Sequence, residues 1–278
     1  MKKIEKAALF LKQHRQLFRC PVCQAAYTAV TDKSIICPNG HRLDLSKKGT
    51  LYFLRRAIAP EYDKEMLLCR RRILQAGLFD PFVNLIKTQL PAKATALDVG
   101  CGEGTTLNQM EDQLATAVGF DISTDGINLA TQQVTKAFFC VADLAHLPFN
   151  EHTFDVIFNI FSPSNYQEFG RILRPAGKVI KVIPNADYLK ELRRTLYAYD
   201  AQNKTYSNEA VLTHFKENYA KVTEKQVKYQ FSLTPALSHD LLYMTPLHWH
   251  AKPERIQAVL AEPFSKITVD VTVLTGEK

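Results

Sequence analysis

The sequence predicts an α/β protein in which a small, separate N-terminal module precedes a mostly parallel sheet with helices on both faces. Three observations support this fold. Beyond residue 60, short apolar strands alternate with helical patterns, which is typical of a parallel sheet. The first of these strands ends in a glycine-rich loop. Residues 1–60 group cysteines with basic residues and are too few to bury a large core.

The composition of the 278 residues is that of an ordinary globular protein, with 46% apolar and 23% charged residues. This composition excludes a disordered chain. The sequence has no run of about 18 apolar residues, so we expect no membrane span. The apolar run near the N-terminus stops at Lys12 with no cleavage site after it, which disfavours a signal peptide and predicts a cytoplasmic protein.

Basic charge is concentrated in residues 1–60. This segment has 12 Lys/Arg and three acids, a balance of +9, whereas the rest of the chain has 23 basic and 25 acidic residues. A basic module on a nearly neutral body is typical of a polyanion-binding module attached to another activity. For the charge alone, an ordinary soluble surface is an equally good explanation.

The basic segment also carries a set of metal ligands. Two residues separate Cys20 from Cys23, and Cys37 follows after thirteen more, with His41 four residues beyond it. Three thiolates and one imidazole complete a tetrahedral zinc shell. The glycine before His41 would supply the backbone angles that turn this side chain toward the ion. Because protein fills all four positions, we predict a structural zinc in a ribbon whose hairpin lies within 27–36.

The glycine-rich loop joins a strand over 94–99 to a helix and contains Gly100, Gly102 and Gly104. The next strand ends at Asp121, about twenty residues after the loop, where an acid can accept both hydroxyls of a ribose. Further strands are predicted over 137–141, 154–160, 179–183, 224–233 and 265–274, and helices over 187–199 and 252–261. Together these elements would form a seven-stranded sheet.

A dinucleotide-binding fold is the main alternative for the loop. Its fingerprint places the third glycine one position later than Gly104. It also needs a site for a pyrophosphate, which Glu103 would repel. A cationic ligand would instead suit a loop lined by carboxylates.

The order of these motifs resembles the class I, Rossmann-like, S-adenosylmethionine-dependent methyltransferases from about residue 61 to the end. The metal-binding motif and three longer segments extend the resemblance to the bacterial 23S rRNA (guanine-N1)-methyltransferases of the RlmA type. These segments run from Arg70 to Gly77, from Leu97 to Gly104 and from Met244 to Trp249. The sequence as a whole is more similar to the Gram-positive branch of this family, which is associated with macrolide resistance.

The resemblance implies a zinc-binding, RNA-recognition domain over 1–60 and a methyltransferase domain over 61–278. It implies transfer of a methyl group from S-adenosylmethionine to N1 of a guanine in a 23S rRNA hairpin loop, and relatives can form homodimers. The implied cofactor-binding residues are Phe79, Asp98, Gly100, Gly102, Glu103, Gly104, Thr106, Leu107, Asp121, Asp143, Leu144 and Tyr188. At the position of Tyr188 some relatives have histidine, so its bond to the cofactor is in question.

Guanine N1 carries a proton at neutral pH, so its methylation needs a general base or hydrogen bonds that favour the deprotonated base. The turn Phe161–Ser164 lies where this class places groups that face the target, and its carbonyls could accept hydrogen bonds from the guanine edge. Ser162, Glu168 and His248 are the candidate catalytic residues. Each is equally well explained as an ordinary turn, surface or core residue, so the sequence does not name the base.

Two further segments could contact RNA. Arg70–Arg72 is predicted to lie on a helix, where only part of the trio can face one partner. Trp249, the only tryptophan, suits either stacking on a flipped base or anchoring of the last helix in the core.

Two other functions are compatible with parts of the sequence. A methyltransferase that acts on a small metabolite would explain the body but leave the +9 segment unexplained. A non-enzymatic RNA-binding protein with a vestigial cofactor fold would explain that segment, but the intact glycine loop argues against it.

Overall fold

The computed structural model describes residues 1–56, 62–198 and 207–278. Residues 1–56, here called the N-terminal segment, begin with helix α1 (Lys3–His14). They continue through a three-stranded antiparallel sheet of β1 (Ala29–Val30), β2 (Ser34–Ile36) and β3 (Arg42–Asp44), and end with β4 (Leu51–Tyr52). The predicted hairpin within 27–36 is therefore present as β1 and β2.

The body alternates helices and strands as far as β9 and then adds two long strands. Its first half contains α2 (Lys64–Gln75), α3 (Asp80–Lys87), β5 (Ala94–Val99), α4 (Thr105–Met110), β6 (Leu114–Asp121), α5 (Thr124–Ala130) and β7 (Phe138–Val141). Its second half contains β8 (Phe154–Ile160), α6 (Tyr166–Ile172), β9 (Leu173–Pro184), α7 (Lys190–Leu196), α8 (Glu209–Asn218), β10 (Lys221–Ser232), α9 (Pro235–Tyr243), α10 (Pro253–Ala261) and β11 (Lys266–Glu277). None of the helices in the described ranges is long and apolar enough to cross a membrane.

The main sheet has the strand order β10-β11-β9-β8-β5-β6-β7-β4. From β9 to β4 all neighbours are parallel, whereas β11 is antiparallel to both β9 and β10. The strand order changes direction at β5, because β6 lies on one side of it and β8 on the other. In open α/β sheets, ligands bind outside the carboxyl ends of the strands at such a switch point.

The predicted seven-stranded α/β sheet is confirmed, and the N-terminal segment adds an eighth, two-residue strand to it. β4 pairs in parallel with β7, with Leu51 opposite Cys140. The sequence also placed the ends of several elements too narrowly, since β9, β10 and β11 each span twelve residues. The last residue of the helix expected over 187–199 lies outside the described residues, and α7 covers only Lys190–Leu196.

Side-chain caps fix the starts of the helices around the strand ends. Asp63 accepts a hydrogen bond from Met66 N at 2.8 Å at the start of α2. Ser123 caps α5 and Asn165 caps α6 in the same way. Capping of this kind satisfies backbone N–H groups that have no partner inside the helix. Ser123 and Asn165 lie in the loops that follow β6 and β8, so these two caps fix loops at the sheet's carboxyl edge.

The N-terminal segment shares an apolar cluster with the body. Phe18 is fully buried, and its ring centroid lies 5.5 Å from that of Phe138 and 5.6 Å from that of Phe149. Arg19 N donates to Pro148 O at 3.0 Å, and Phe53 N donates to Val141 O at 2.8 Å. The segment is thus docked on the sheet through both side chains and backbone. The predicted boundary between residues 60 and 61 lies outside the described residues.

Candidate active site and metal centre

Cys20, Cys23, Cys37 and His41 converge in the N-terminal segment, with their ligand atoms all within 4.8 Å of one another. The sulfurs of Cys23 and Cys37 are 3.7 Å apart, and Cys37 Sγ is 3.4 Å from His41 Nδ1. A tetrahedral zinc ion with Zn–S distances of about 2.3 Å places two sulfurs about 3.8 Å apart. The spacing of the side chains therefore fits a zinc ion.

The backbone around these ligands also suits a metal. Gly40 adopts φ +79°, the left-handed conformation predicted for the residue before His41. Val22 N donates to Cys20 Sγ at 3.4 Å, while burial raises the pKa of that thiol. Hydrogen bonds from the Ala25 backbone and the Asn39 side chain lower the pKa of Cys23 to about 6. Donors directed at sulfur favour the thiolate form, which is the form that binds metal.

A cavity of about 920 Å³ opens at the carboxyl ends of four neighbouring strands, and we call it the strand-end cavity. Val99, Asp121, Ala142 and Ile160 line it at or just after the ends of β5, β6, β7 and β8. Of the residues predicted to bind the cofactor, it is lined by Gly100, Gly102, Asp121, Asp143 and Leu144. The strand ends thus bring the glycine loop and both acid motifs to one cavity.

The Asp121 carboxylate is held by two backbone groups. Oδ2 accepts from Gly102 N and Oδ1 accepts from Ser123 N, each at 2.8 Å. Burial raises the pKa of Asp121, and these two hydrogen bonds oppose the shift. An ionised carboxylate has about four acceptor sites, and the Ile122 backbone is a third donor to it, so only part of its acceptor capacity stays available for hydroxyl groups in the cavity. Asp143 is fixed in a similar way, because its Oδ1 accepts from Ala145 N at 2.9 Å.

Glu103 does not line the cavity, although the sequence suggested a loop lined by its carboxylate. Its side chain is 1% exposed and accepts hydrogen bonds from the N–H and hydroxyl of Thr105. Its oxygens lie 4.0 Å from Arg70 Nε and 3.6 Å from Arg71 Nε. A paired charge at the start of α4 is therefore directed into the protein rather than toward a ligand.

Asp98 is buried in β5, behind the glycine loop. Burial raises its pKa to about 7, and the nearby guanidinium of Arg70 partly opposes this shift. Gly104, Thr106 and Leu107 lie at the start of α4 and do not line the cavity.

Phe79 and Tyr188 are also absent from the lining, but both rings contact Phe161, which does line it. The centroid distances are 5.4 Å for Phe79 and 5.2 Å for Tyr188. These two aromatic residues can therefore influence the cavity through Phe161.

Arg70–Arg72 lies on α2, as predicted, and its charges are directed at the protein's own groups. Arg70 lines the cavity with its guanidinium 5.4 Å from the centre of the Phe79 ring. Arg72 makes a bidentate contact with Asp240 at 2.9 and 2.6 Å. The trio therefore braces α2 against neighbouring elements.

The turn after β8, here called the β8 loop (Phe161–Ser164), forms one wall of the cavity. Phe161 has φ +53°, a conformation that costs a non-glycine residue free energy and is often found at functional sites. Ser162 Oγ donates to Val99 O at 2.6 Å, which ties the loop to β5. A Cβ on Gly100 would lie 2.8 Å from Ser162 Cβ, so only glycine allows this approach.

The catalytic candidates from the sequence lie in different places. Ser162 has its hydroxyl proton committed to Val99, and its Oγ also accepts from Asn159 Nδ2 at 2.6 Å. His248 lies outside the cavity lining, and its Nδ1 is 2.7 Å from Thr245 O. Neither geometry favours a general base at the cavity.

Glu168 is bound by Arg171 at 2.7 and 2.8 Å and accepts from Leu147 N. Burial alone would raise its pKa, but the hydrogen bonds and charge of Arg171 lower it overall. It faces a second cavity rather than the strand-end cavity. An ion-paired carboxylate of low pKa is a weak base.

Several lining residues were not singled out from the sequence: Tyr62, Ser123, Asn165, Tyr166, His214 and Asn218. Tyr62 lies before α2, and its ring centroid is 5.6 Å from that of Trp249. The two rings are 38% and 40% exposed, so Trp249 is not the core anchor that the sequence allowed. No local pattern marks these residues, because distant elements bring them together.

The second cavity, of about 600 Å³, lies between the N-terminal segment and the body, and we call it the interface cavity. Its lining includes Pro21 and Gln24 from the metal-binding turn and the basic residues Arg19, Arg55, Arg56 and His146. The acids in its lining are Asp143 and Glu168. Because Asp143 also lines the strand-end cavity, the two cavities meet at this residue.

Comparisons with known proteins agree with the fold and the sequence motifs. A family described as a methyltransferase domain matches residues 96–181. A Bacillus subtilis protein, YxjB, provisionally named a 23S rRNA (guanine-N1)-methyltransferase, is 39% identical over 94% of this chain and 97% of its own length. The 23S rRNA (guanine(748)-N1)-methyltransferase of Streptomyces fradiae is 28% identical over 91% of this chain and 94% of its own.

A solved structure of similar fold is the phosphoethanolamine N-methyltransferase 2 of Haemonchus contortus in complex with S-adenosyl-L-methionine. It has a TM-score of 0.51 at 15% identity and covers 78% of this chain and 58% of its own. This likeness concerns the fold alone.

Proposed function

The chain belongs to the 23S rRNA (guanine-N1)-methyltransferase family, and from this premise we propose that it methylates N1 of a guanine in a hairpin loop of 23S rRNA, with S-adenosylmethionine as the methyl donor. The observation that carries the proposal is the junction of the two cavities at Asp143. One cavity has the acids and glycine loop expected of a donor site, and the other is lined by arginines. A polyanionic substrate can thus reach the donor without leaving the protein surface.

The donor would occupy the strand-end cavity. Asp121 would accept the ribose hydroxyls with its remaining acceptor capacity, and Asp143 with Leu144 would contact the adenine. Gly100 and Gly102 would allow the methionine part to approach the backbone, since neither has a side chain in the way. The buried acid Asp98 would favour the cationic end of the donor. Binding in this orientation holds the sulfonium methyl in register with the acceptor.

A zinc ion would be held by Cys20, Cys23, Cys37 and His41, which fit it by donor type and spacing. With four protein ligands, it would stabilise the turns that carry Pro21 and Gln24 rather than take part in the reaction. Those turns form one wall of the interface cavity. The ion would therefore shape the RNA-binding surface indirectly.

RNA would bind along the interface cavity through phosphate contacts. Arg55 and Arg56 present positive charge there, whereas Arg19 lies 3.8 Å from Glu168, which also pairs with Arg171. Contacts of this kind make affinity fall steeply with salt. The exposed pair Tyr62 and Trp249 near the cavity mouth is suited to stacking on an unpaired base. These features favour an RNA substrate over a small metabolite.

The proposal is tested by incubating the protein with labelled S-adenosylmethionine and 23S rRNA that lacks the modification. We expect label in the RNA, and mass spectrometry should place it on N1 of one guanine. Label in a small-molecule fraction alone would support the metabolite alternative, and no label anywhere would support the non-enzymatic one. Either result would overturn the proposal.

A second experiment measures RNA affinity against salt. We expect Arg55→Ala and Arg56→Ala each to reduce the log–log salt slope by about one. Lys136→Ala is the matched control, because this exposed lysine pairs with Asp112 outside both cavity linings. A slope that is flat for the unaltered protein would contradict phosphate binding.

A further inference from the structure

Lys181 is a buried lysine that the proposed donor and RNA contacts do not use. It lies in β9 directly opposite Asn159 of β8, and only 4% of the residue is exposed. Burying an ammonium group is costly unless a charge partner compensates. Among the described residues, no carboxylate forms an ion pair with it. A lysine kept under these conditions calls for an explanation by function.

The Lys181 amine is joined to the β8 loop instead. Its Nζ contacts Asn159 Oδ1, lies 3.2 Å from Ser162 O and lies 2.9 Å from Ser164 Oγ. Ser164 lines the strand-end cavity, so its hydroxyl group connects the buried amine to the space where the acceptor base would lie. This is a two-residue hydrogen-bonded path from the cavity to a basic nitrogen.

The other groups of the loop are already engaged. Asn159 Nδ2 donates to Ser162 Oγ at 2.6 Å and to Pro163 O at 2.8 Å. Asn159 Oδ1 accepts hydrogen bonds from both the Lys181 amine and the Ser164 hydroxyl. A hydroxyl hydrogen rotates freely between acceptors, so the Ser164 proton can turn from Asn159 to the neutral amine of Lys181.

We propose that Ser164 and Lys181 remove the N1 proton of the guanine during methyl transfer, Ser164 as the group that contacts the base and Lys181 as the final proton acceptor. This inference rests on the proposed function. The N1–CH₃ bond forms as the S–CH₃ bond breaks, and the electron pair of the broken bond stays on sulfur as a neutral thioether. The N1 proton passes to Ser164 Oγ, and the hydroxyl proton passes to the neutral amine, which becomes an ammonium ion.

The charge state of the amine is compatible with this role. Burial lowers the pKa of Lys181 to about 8, so a usable fraction is neutral near physiological pH. The titratable groups that approach the loop from the neighbouring helices are Tyr166 on α6 and His214 and Tyr219 on α8. Burial raises the pKa of both tyrosines, so they are neutral where the amine titrates. Of these side chains only the imidazole of His214 has a cationic form, and a positive charge there would lower the pKa of the amine further.

The test compares four variants at saturating donor: Ser164→Ala, Lys181→Met, Lys181→Arg and the control Lys178→Met. Lys178 lies three residues earlier in β9, where its amine donates to Gln89 O at 3.1 Å. We expect the first three to lower kcat about 100-fold or more, because each removes a step of the proton path. The control should keep its rate, and all four should bind S-adenosylmethionine within about threefold of the unaltered protein.

Lys181→Arg separates proton acceptance from loop positioning. Arginine can donate hydrogen bonds to the same oxygens but does not give up its proton. We expect log kcat of the unaltered protein to rise with slope one up to about pH 8 and then level off. Full activity of Lys181→Arg or Lys181→Met, or an unchanged pH profile in either, would overturn the proposal.

A measurement without RNA tests the role of Lys181 independently of the proposed function. The protein is labelled with ¹³C at lysine Cε and titrated by NMR, and the Lys181 signal is assigned by its loss in either Lys181 variant. We expect this lysine alone to titrate clearly below the others. A Lys181 signal that titrates with the surface lysines would refute the proton path even if the enzyme is active. Failure of the unaltered protein to label RNA would instead refute the proposed function.

Discussion

The metal centre and the strand-end cavity are held together in different ways. The four predicted metal ligands lie within residues 20–41, and local turns place them, with Gln24 N donating to Cys20 O and Gly40 N donating to Cys37 O. The cavity lining comes from elements between Tyr62 and Asn218, and the parallel sheet brings them together. One site depends on four side chains, and the other depends on the packing of the whole body. Loss of one ligand should therefore disrupt the first site entirely, whereas single substitutions should weaken the second site by degrees.

Metal removal should produce the largest effect, because the four predicted ligands hold the N-terminal turns together. We expect a chelator or Cys37→Ser to abolish protection from hydrogen exchange in residues 19–45, because zinc supplies about 10–16 kcal/mol of apparent binding free energy in small zinc modules. Mass spectrometry would localise the exchange, and calorimetry should find S-adenosylmethionine affinity within about threefold of the untreated protein. Cys140→Ser, in a buried cysteine of β7, is the control that should keep one zinc per chain.

A parallel loss of S-adenosylmethionine binding on metal removal would contradict the independence of the two sites. The two sites would then be parts of one cooperative unit.

The junction between the two regions should be the next most sensitive place. Phe18→Ala removes a fully buried ring at this junction, and we expect a loss of about 3–5 kcal/mol in the free energy of unfolding. Urea denaturation of the zinc-loaded protein measures it. Leu9→Ala is the control, because Leu9 is 47% exposed and should change stability by less than about 0.5 kcal/mol. A small effect of Phe18→Ala would mean that the metal centre alone holds the segment in place.

Within the cavity, Asp121→Asn should weaken donor binding without unfolding the protein. Hydrogen bonds to a charged group contribute about 1.5–3 kcal/mol, so we expect affinity for S-adenosylmethionine to fall about 10- to 150-fold by calorimetry. Asp125→Asn, on the exposed side of α5, is the matched control and should bind normally. Equal affinity in both variants would remove Asp121 from the donor site.

The pH dependence of donor binding should be the smallest effect. Asp98 has its pKa raised to about 7 by burial, and its charged form would attract the cationic donor. Affinity should therefore rise with pH, by at most about tenfold per unit below pH 7, and level off above it. Burial of this charge also makes the fold less stable as pH rises from the ordinary carboxyl value toward 7. Asp98→Asn should remove the dependence of donor affinity on pH and should also remove this loss of stability. An unchanged dependence of affinity on pH would contradict a role for Asp98 in donor binding.

The convergence of the four predicted metal ligands could be anticipated from sequence because their positions are encoded in spacing. Cys20 and Cys23 share one turn, and Cys37 with His41 shares another, so little else has to be known. The glycine loop and Asp121 were predictable for a related reason. Each follows a buried strand, and parallel strands bring their carboxyl ends to one edge.

The rest of the cavity could not be predicted because it depends on packing between distant elements. Glu103 was expected to face a ligand, but Arg70 and Arg71 on α2 draw it inward. His214 reaches the cavity from α8, with no local signal in its own segment. Lys181 looked like one residue of an apolar strand, and only its register opposite Asn159 shows what it contacts.

The short strand β4 has a consequence for how the chain can be divided. An unpaired strand at the edge of a sheet offers free N–H and C=O groups to any other extended chain. β4 occupies that position beside β7, where it pairs with Cys140 and Val141, whose backbone groups would otherwise lie at the open edge of the sheet. We therefore expect a proteolytic cut that releases residues 1–56 to leave a methyltransferase body prone to edge-to-edge self-association. The N-terminal segment would then also protect the body from aggregation.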